Sequence, residues 1–132
     1  LFRSVFMLQA EVVERMVAQA GSSDFSRLSV MLQARYDMEL VLEVPPEAFK
    51  PAPKVNSAVV RMIPRKEFHL NSAQWSALEQ VVAAAFSQRR KMLRTNLQPF
   101  ASKLKLSEDE LKARAQDISV DRYIEWAKLL AN

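Results

Sequence analysis

The hydrophobic period of this chain switches between helical and strand-like, and the places where it switches constrain what it can fold into. In "DMELVLEV" the residues Met38, Leu40, Leu42 and Val44 alternate with Asp37, Glu39, Val41 and Glu43, the period of two expected of a half-buried strand. "SAVVRMI", from Ser57, is a second strand-like run. The two read as an antiparallel hairpin whose connection, residues 45–56, is too long for a tight turn. From Asn71 onward apolar residues recur at helical spacing instead, so the seam falls in "PRKEFHLN", residues 64–71. Two parts follow, residues 1–66 with the strands and residues 67–132 all helical.

Each part has further punctuation. "SVFMLQ" reads as a short strand feeding a helix, "AEVVERMVAQAG", with Val12, Val13, Met16 and Val17 on one face and Gly21 placed as its C-cap. "SSDFSRLSVMLQARY" offers cap residues before Leu28, Met31, Leu32 and Tyr36, a second helix. In the helical part, "NSAQWSALEQVVAAAF" places Trp75, Leu78, Val82, Ala85 and Phe86 on one stripe with Ser72 as a possible N-cap. "SEDELKARAQ" and "SVDRYIEWAKLLAN" each begin with a cap serine, Ser107 and Ser119, and put acids in the first turn, where they suit the helix dipole. The fold class is therefore α/β, a small sheet followed by a small all-α unit.

With 49% hydrophobic and 26% charged residues, the 132-residue chain has ordinary globular composition. No apolar run reaches the ~20 residues that a membrane-spanning helix needs, and "LFRSVFMLQ" lacks the features of a secretory signal. Cysteine is absent and His69 is the single histidine, which excludes thiolate chemistry and a histidine-rich metal site. A cytoplasmic, monomeric protein without metal fits best. Gly21 is the only glycine, whereas loops that cradle nucleotide cofactors usually need several to bring backbone close to the ligand. A nucleotide cofactor, if one is used, is bound elsewhere.

The formal charge of +4 conceals an uneven distribution. Residues 1–44 and residues 107–132 each hold four Arg/Lys and six Asp/Glu, and residues 45–106 hold eleven and three, so the segments carry −2, −2 and +8 respectively. A basic centre between acidic flanks suits a polyanion, most plausibly nucleic acid; the plainer alternative is that the charges only keep the domain soluble. The cations concentrate in "FSQRRKMLRTNL". A helix continued through it would put Arg89 on the stripe of Phe86 and Leu93, with Arg90, Lys91 and Arg94 beside it, where Arg90 and Arg94 repel at i and i+4. Either these cations bind phosphates, or the helix bends near Ser87 and the charges are solvated.

The connection "PPEAFKPAPK" sets Pro45, Pro46, Pro51 and Pro53 around Phe49. Each proline fixes its own φ and restricts the residue before it, so Phe49 sits on a loop with little freedom left to lose. Beside Lys54 it suits an unstacked base and its phosphate; the alternative is a core plug beneath the hairpin.

"FMLQAEVVERMVA", "RLSVMLQARYDMELVLEVPPEAFKPAPKVNSAVVRMIPR" and "AFSQRRKMLRTNL" together resemble the carboxy-terminal half of the bacterial ribosomal RNA adenine dimethyltransferases, the kasugamycin-sensitivity family. The resemblance covers nearly the whole chain. Its F-x-P-x-P-K-V-x-S pattern, met by Phe49, Pro51, Pro53, Lys54, Val55 and Ser57, is shared with the erythromycin-resistance and mitochondrial relatives, while the "FSQRRKMLRTNL" segment points more narrowly to the dimethyltransferases. Ser26 stands where the family usually has glycine.

The resemblance implies the last strands of a Rossmann-like class I methyltransferase sheet followed by a helical RNA-binding domain. It implies an S-adenosylmethionine-dependent enzyme that dimethylates two adjacent adenines near the 3′ end of small-subunit rRNA, within the immature small ribosomal subunit. Phe49 would pack on the flipped adenine, with Pro51, Pro53 and Lys54 forming the substrate loop; Arg89, Arg90, Lys91 and Arg94 would hold the rRNA backbone, and Arg27 is a weaker candidate. The family's glycine-rich cofactor loop and its target-orienting motif both precede this segment, so neither catalytic nor cofactor-binding residues are expected here and the 132 residues alone are expected to be inactive. A non-catalytic RNA-binding module in ribosome assembly and a large-subunit rRNA resistance methyltransferase are the alternatives.

Overall fold

The computed structural model describes residues 4–66 and 69–132; Glu67 and Phe68, inside the expected seam, lie outside the described residues. Strand β1 (Ser4–Gln9) leads into helix α1 (Ala10–Val17) and α2 (Arg27–Gln33), and strands β2 (Tyr36–Val44) and β3 (Ser57–Pro64) follow. The sheet has the order β1-β3-β2. β3 is antiparallel to both neighbours, so β1 and β2 run parallel to each other, and Gln9 and Val44 both pair with Ser57. A parallel pair needs a crossover, and α1 and α2 provide it. Among the described residues β1 has no strand partner on its outer side, and adjacent Val5 and Phe6, which point to opposite faces, are 60% and 47% exposed.

The hairpin expected from the period of two is present, with one correction. The register jumps from Leu40↔Val60 to Leu42↔Val59, so Val41 is an extra, bulged residue. Alternation holds through Met38 and Leu40 and fails beyond, which leaves Leu42 exposed rather than facing the core.

Helix α1 lies on the sheet, where Ala10, Val13 and Met16 close a small core with Ala58 and Val60. Gly21 is not its C-cap. The helix stops at Val17, and its last carbonyls are taken by α2 side chains: the Ser29 hydroxyl donates to Arg15, and Gln33 Nε2 donates to Met16 and Ala18, each at 2.8 Å. Gly21 instead supplies a left-handed turn, φ +95°, whose N–H donates to the Gln116 carbonyl at 2.7 Å. In α2 Ser29 and Val30 are buried and Met31 and Leu32 pack against the two cores, as expected for the latter pair, whereas Leu28 is exposed and Tyr36 already belongs to β2. Ser26 caps α2 with an extended backbone, φ −143°, a conformation that asks for no glycine.

The helical part contains α3 (Ser72–Ala85), α4 (Leu93–Asn96), α5 (Ala101–Leu104), α6 (Glu108–Lys112) and α7 (Val120–Ala131). Asn71, not Ser72, caps α3: its Oδ1 accepts from Gln74 N at 2.8 Å while Gln74 Oε1 accepts from Asn71 N at 2.9 Å. Ser107 and Ser119 cap α6 and α7 as expected. The larger core joins Leu78, Val81, Val82, Leu93, Leu97 and Tyr123 with Phe25, Val30 and Ala34 from the α1–α2 connection and α2, so packing crosses residues 64–71. Phe25, Phe86, Tyr123 and Trp126 form a run of ring contacts, with centroids 6.4, 6.0 and 5.3 Å apart. Arg65 adds a polar tie, donating to the Gln33 carbonyl at 2.9 Å and pairing with Asp121 of α7 at 3.5 Å. Among the described residues no helix is long and apolar enough to cross a membrane.

α3 does not continue through the basic segment. It ends at Ala85, and the Ser87 hydroxyl donates to the Ala84 carbonyl at 2.6 Å, so the bend expected as the alternative is present. Buried Asn96 explains why the bend is stable: its Nδ2 donates to the Ala85 and Gln88 carbonyls, each at 2.9 Å, replacing helical bonds that the break removes. Asn96→Ala leaves a buried carbonyl without its donor and is expected to lower stability by ~1 to 3 kcal/mol in chemical denaturation.

Arg122 grips Glu110 with two hydrogen bonds, 2.5 and 2.9 Å, and those bonds hold the Glu110 carboxyl below the usual glutamate range. A depressed carboxylate pKa contributes stability that is present above the unfolded value and is lost as pH falls through the folded one. The thermal midpoint is therefore expected to drop below about pH 4.3, the ordinary glutamate value, and Glu110→Gln should flatten that acid limb while lowering the midpoint at pH 7. An unchanged acid limb in Glu110→Gln would assign the acid sensitivity to other carboxylates.

Candidate nucleic-acid interface

Two places collect the sequence-predicted residues. The first is the proline loop. Pro46–Ala48 form a single 3₁₀ turn, closed by Ala48 N to the Pro45 carbonyl at 3.1 Å and Phe49 N to the Pro46 carbonyl at 3.2 Å. Phe49 leaves this turn extended, φ −115° and ψ 153°, half-buried, and among the described residues it belongs to neither apolar core. The following peptide, Lys50–Pro51, is cis, and residues 50–56, with Pro51, Pro53 and Lys54, are exposed.

The sheet register places this loop. It leaves β2 at Val44 and enters β3 at Ser57, and Ser57 is also the partner of Gln9, the last residue of β1. Asn56 accepts from Ala10 N at 2.8 Å, which pins the loop's end to the start of α1. The loop therefore stands at the carboxyl ends of the two parallel strands, the edge at which open α/β sheets bind ligands. A shallow concavity of about 400 Å³ opens there between Glu11 and Glu14 of α1 and Lys54, Val55 and Asn56. No glycine lines it, and two carboxylates do. Gly21 lies apart from it, in the α1–α2 connection against Gln116.

The second place is the turn after α3. Its walls are fixed before any cation is considered. Asn96 holds Ala85 and Gln88, Lys91 N donates to the Gln88 carbonyl at 2.9 Å, and Leu93 N donates to the Ala113 carbonyl at 2.8 Å, which brings residues 113–117 alongside. That neighbouring turn is pinned by Asp117, which accepts from Arg114 N at 3.1 Å, and by the buried Tyr123 hydroxyl, which donates to Ala115 at 2.7 Å. Burial pushes the Tyr123 phenol up, so it stays a donor.

Between the two turns lies an open concavity of about 610 Å³ lined by Gln88, Arg89, Arg90, Lys91 and Arg114. It contains four cations and no acid. Arg114 was not singled out in the sequence because it belongs to the acidic tail; only the Leu93–Ala113 bond brings it beside the basic segment. Among the described residues no ion pair engages Arg90, Lys91, Arg94 or Arg114. Arg89 differs from its neighbours. Half-buried, it donates to the Ser23 carbonyl, to the Phe25 carbonyl at 2.8 Å and to Gln116 Oε1 at 3.2 Å.

Arg94, on α4, and Arg27, the first residue of α2, are exposed but stand outside the concavity's lining. The proline loop shares no lining residue with the basic concavity. Among the described residues no group of three His, Asp or Glu side chains is placed to hold a metal ion.

Known proteins resemble this arrangement throughout its length. A Burkholderia mallei protein named ribosomal RNA small subunit methyltransferase A is 52% identical over 129 residues, which is 96% of this chain and 47% of the relative. Its Burkholderia lata counterpart is 54% identical over 128 residues, 96% of this chain and 46% of the relative. The chain thus spans about half the length of these relatives. A dimethyladenosine transferase crystal structure from Plasmodium falciparum superposes with a TM-score of 0.77 at 22% identity, over 94% of this chain and 55% of that one. The 23S rRNA methyltransferase ErmE superposes with a TM-score of 0.68 at 20% identity, over 98% and 55%. These likenesses show the Rossmann-like α/β fold class inferred from the sequence. The profile of the family described as ribosomal RNA adenine dimethylase matches residues 1–132, and the chain belongs to that family.

Proposed function

We propose that this chain is the carboxy-terminal part of an S-adenosylmethionine-dependent rRNA adenine dimethyltransferase acting on two adjacent adenines near the 3′ end of small-subunit rRNA. The observation that carries the reading is the position of the proline loop at the carboxyl ends of β1 and β2, with Phe49 outside both cores. In this reading residues 1–66 complete the catalytic sheet, residues 67–132 supply the RNA-binding unit, and the methyl donor is bound outside these residues. The open edge and uncovered faces of β1 support pairing with a further strand of the longer enzyme. The protein acts as a cytoplasmic monomer on the immature small subunit.

Phe49 stacks the flipped adenine. The turn at Pro46–Ala48 and the flanking prolines hold its backbone, so little entropy is lost when a base settles on the ring. Pro51 and Pro53 keep the loop extended beyond it, and Lys54 meets the adjoining phosphate. Arg90, Lys91 and Arg114 neutralise backbone phosphates across the basic concavity, with Arg94 and Arg27 as outlying contacts. Small-subunit rRNA is preferred over large-subunit rRNA because relatives above 50% identity carry the small-subunit name.

Two measurements test the reading. Arg90→Ala, Lys91→Ala and Arg114→Ala are each expected to reduce the log–log salt dependence of binding to a structured RNA by ~0.7 to 0.9, one phosphate contact apiece. Slopes unchanged in all three would leave the cations as solvated charge. Base stacking on an aromatic is worth ~1 to 3 kcal/mol, so Phe49→Ala in the full-length enzyme should lower methyl transfer about 5- to 150-fold with RNA affinity and melting temperature nearly intact. Phe49→Trp should retain much of the activity, and a lower melting temperature with normal activity per folded molecule would reject stacking.

A further inference from the structure

Arg89 lines the basic concavity, yet two of its three guanidinium nitrogens, Nε and Nη2, are already committed. We infer that Arg89 is a positioning residue that locks together the two arms presenting Arg90 and Lys91 on one side and Arg114 on the other, and that it does not itself neutralise a phosphate. The inference rests on the RNA-binding reading of the concavity.

Four observations support this role. The guanidinium donates to carbonyl oxygens of Ser23 and Phe25 in the α1–α2 connection and to Gln116 Oε1 in the turn that carries Arg114, so one side chain joins three segments. These acceptors are neutral, and two different nitrogens of the planar guanidinium, Nε and Nη2, reach them, a spread of donors that the single nitrogen of an ammonium cannot reproduce. Gln116 is itself held, because its carbonyl accepts from Gly21 N at 2.7 Å and its side chain is half-buried. Finally, Arg89 is half-buried whereas Arg90, Lys91, Arg94 and Arg114 are exposed.

The consequence is geometric. Leu93 N to Ala113 fixes one side of the contact between the two turns, and Arg89 to Gln116 fixes the other. Without the second tie the arms pivot about the first, and the spacing of Arg90, Lys91 and Arg114 no longer matches successive phosphates. Affinity then falls although every phosphate-binding cation remains.

Two variants separate positioning from direct contact, measured on the full chain with a structured RNA hairpin across a potassium chloride series, well below each thermal midpoint. Arg89→Lys keeps the charge and loses the fork; Gln116→Ala changes no charge. Both are expected to weaken RNA binding about 5- to 10-fold with the salt slope retained, and the double variant should be little worse than Arg89→Lys alone, since that change already breaks the tie to Gln116. A phosphate-binding Arg89 predicts the opposite: Arg89→Lys binds nearly as well as the original, and Gln116→Ala, by freeing the guanidinium, binds equally or more tightly. Either result overturns the inference. Failure of the RNA reading itself looks different, because Arg90→Ala, Lys91→Ala and Arg114→Ala would then leave the slope unmoved, and the positioning role would fall with it.

Discussion

β3 hydrogen-bonds on both sides, and the rest of the sheet part follows from that. Because β1 and β2 each pair antiparallel with it, they run in the same direction and their carboxyl ends meet at Ser57. The same direction forces a crossover, which α1 and α2 make over one face. It also forces the β2–β3 connection to emerge beside the start of α1, where the Asn56–Ala10 bond holds it. The prolines stiffen a loop whose location the pairing has already set.

The basic concavity has a different origin. It depends on a helix that stops early, and Asn96 stops it by offering the Ala85 and Gln88 carbonyls the bonds they would otherwise have found along the helix. Had α3 continued, Arg89 would have been pressed among the apolar contacts of Phe86 and Leu93. The break turns the arginine sideways, toward backbone carbonyls that accept it.

Most of the architecture was legible in the sequence, for local reasons. Period-two alternation marked β2, a strand-like apolar run marked β3, and serine and acidic first turns marked α6 and α7. The misreadings arose where a distant segment replaced a local signal. Gly21 looked like a cap because a cap was needed, but Ser29 and Gln33, 14 and 17 residues away from two of the carbonyls they bind, met that need. Alternation past Leu40 failed because a bulge leaves no mark on the residues that flank it. Of the candidate site, the cations after α3 and the exposed proline loop could be picked out by composition, whereas Arg114 could not, since only tertiary packing carries it out of the acidic tail. Arg89 gave a partial clue: an arginine on an apolar stripe is a conflict, and the fold resolves it by burying the side chain against carbonyls.

Packing across residues 64–71 has an implication for how the chain can be recombined. Phe25, Val30 and Ala34 share a core with Leu78, Val81 and Tyr123, so the helical part has part of its wall encoded some forty residues before the helices begin. A chimaera joined within residues 64–71 would seat foreign helices against this chain's α2 and α1–α2 connection, and mismatched volumes there would open voids or clashes in the larger core. Exchange that preserves packing has to move residues 18–34 together with the helices. The strands have a separate small core of Val13, Met16, Ala58 and Val60, but Leu32 of the moved segment packs against it, so that one position has to match the strands that stay behind.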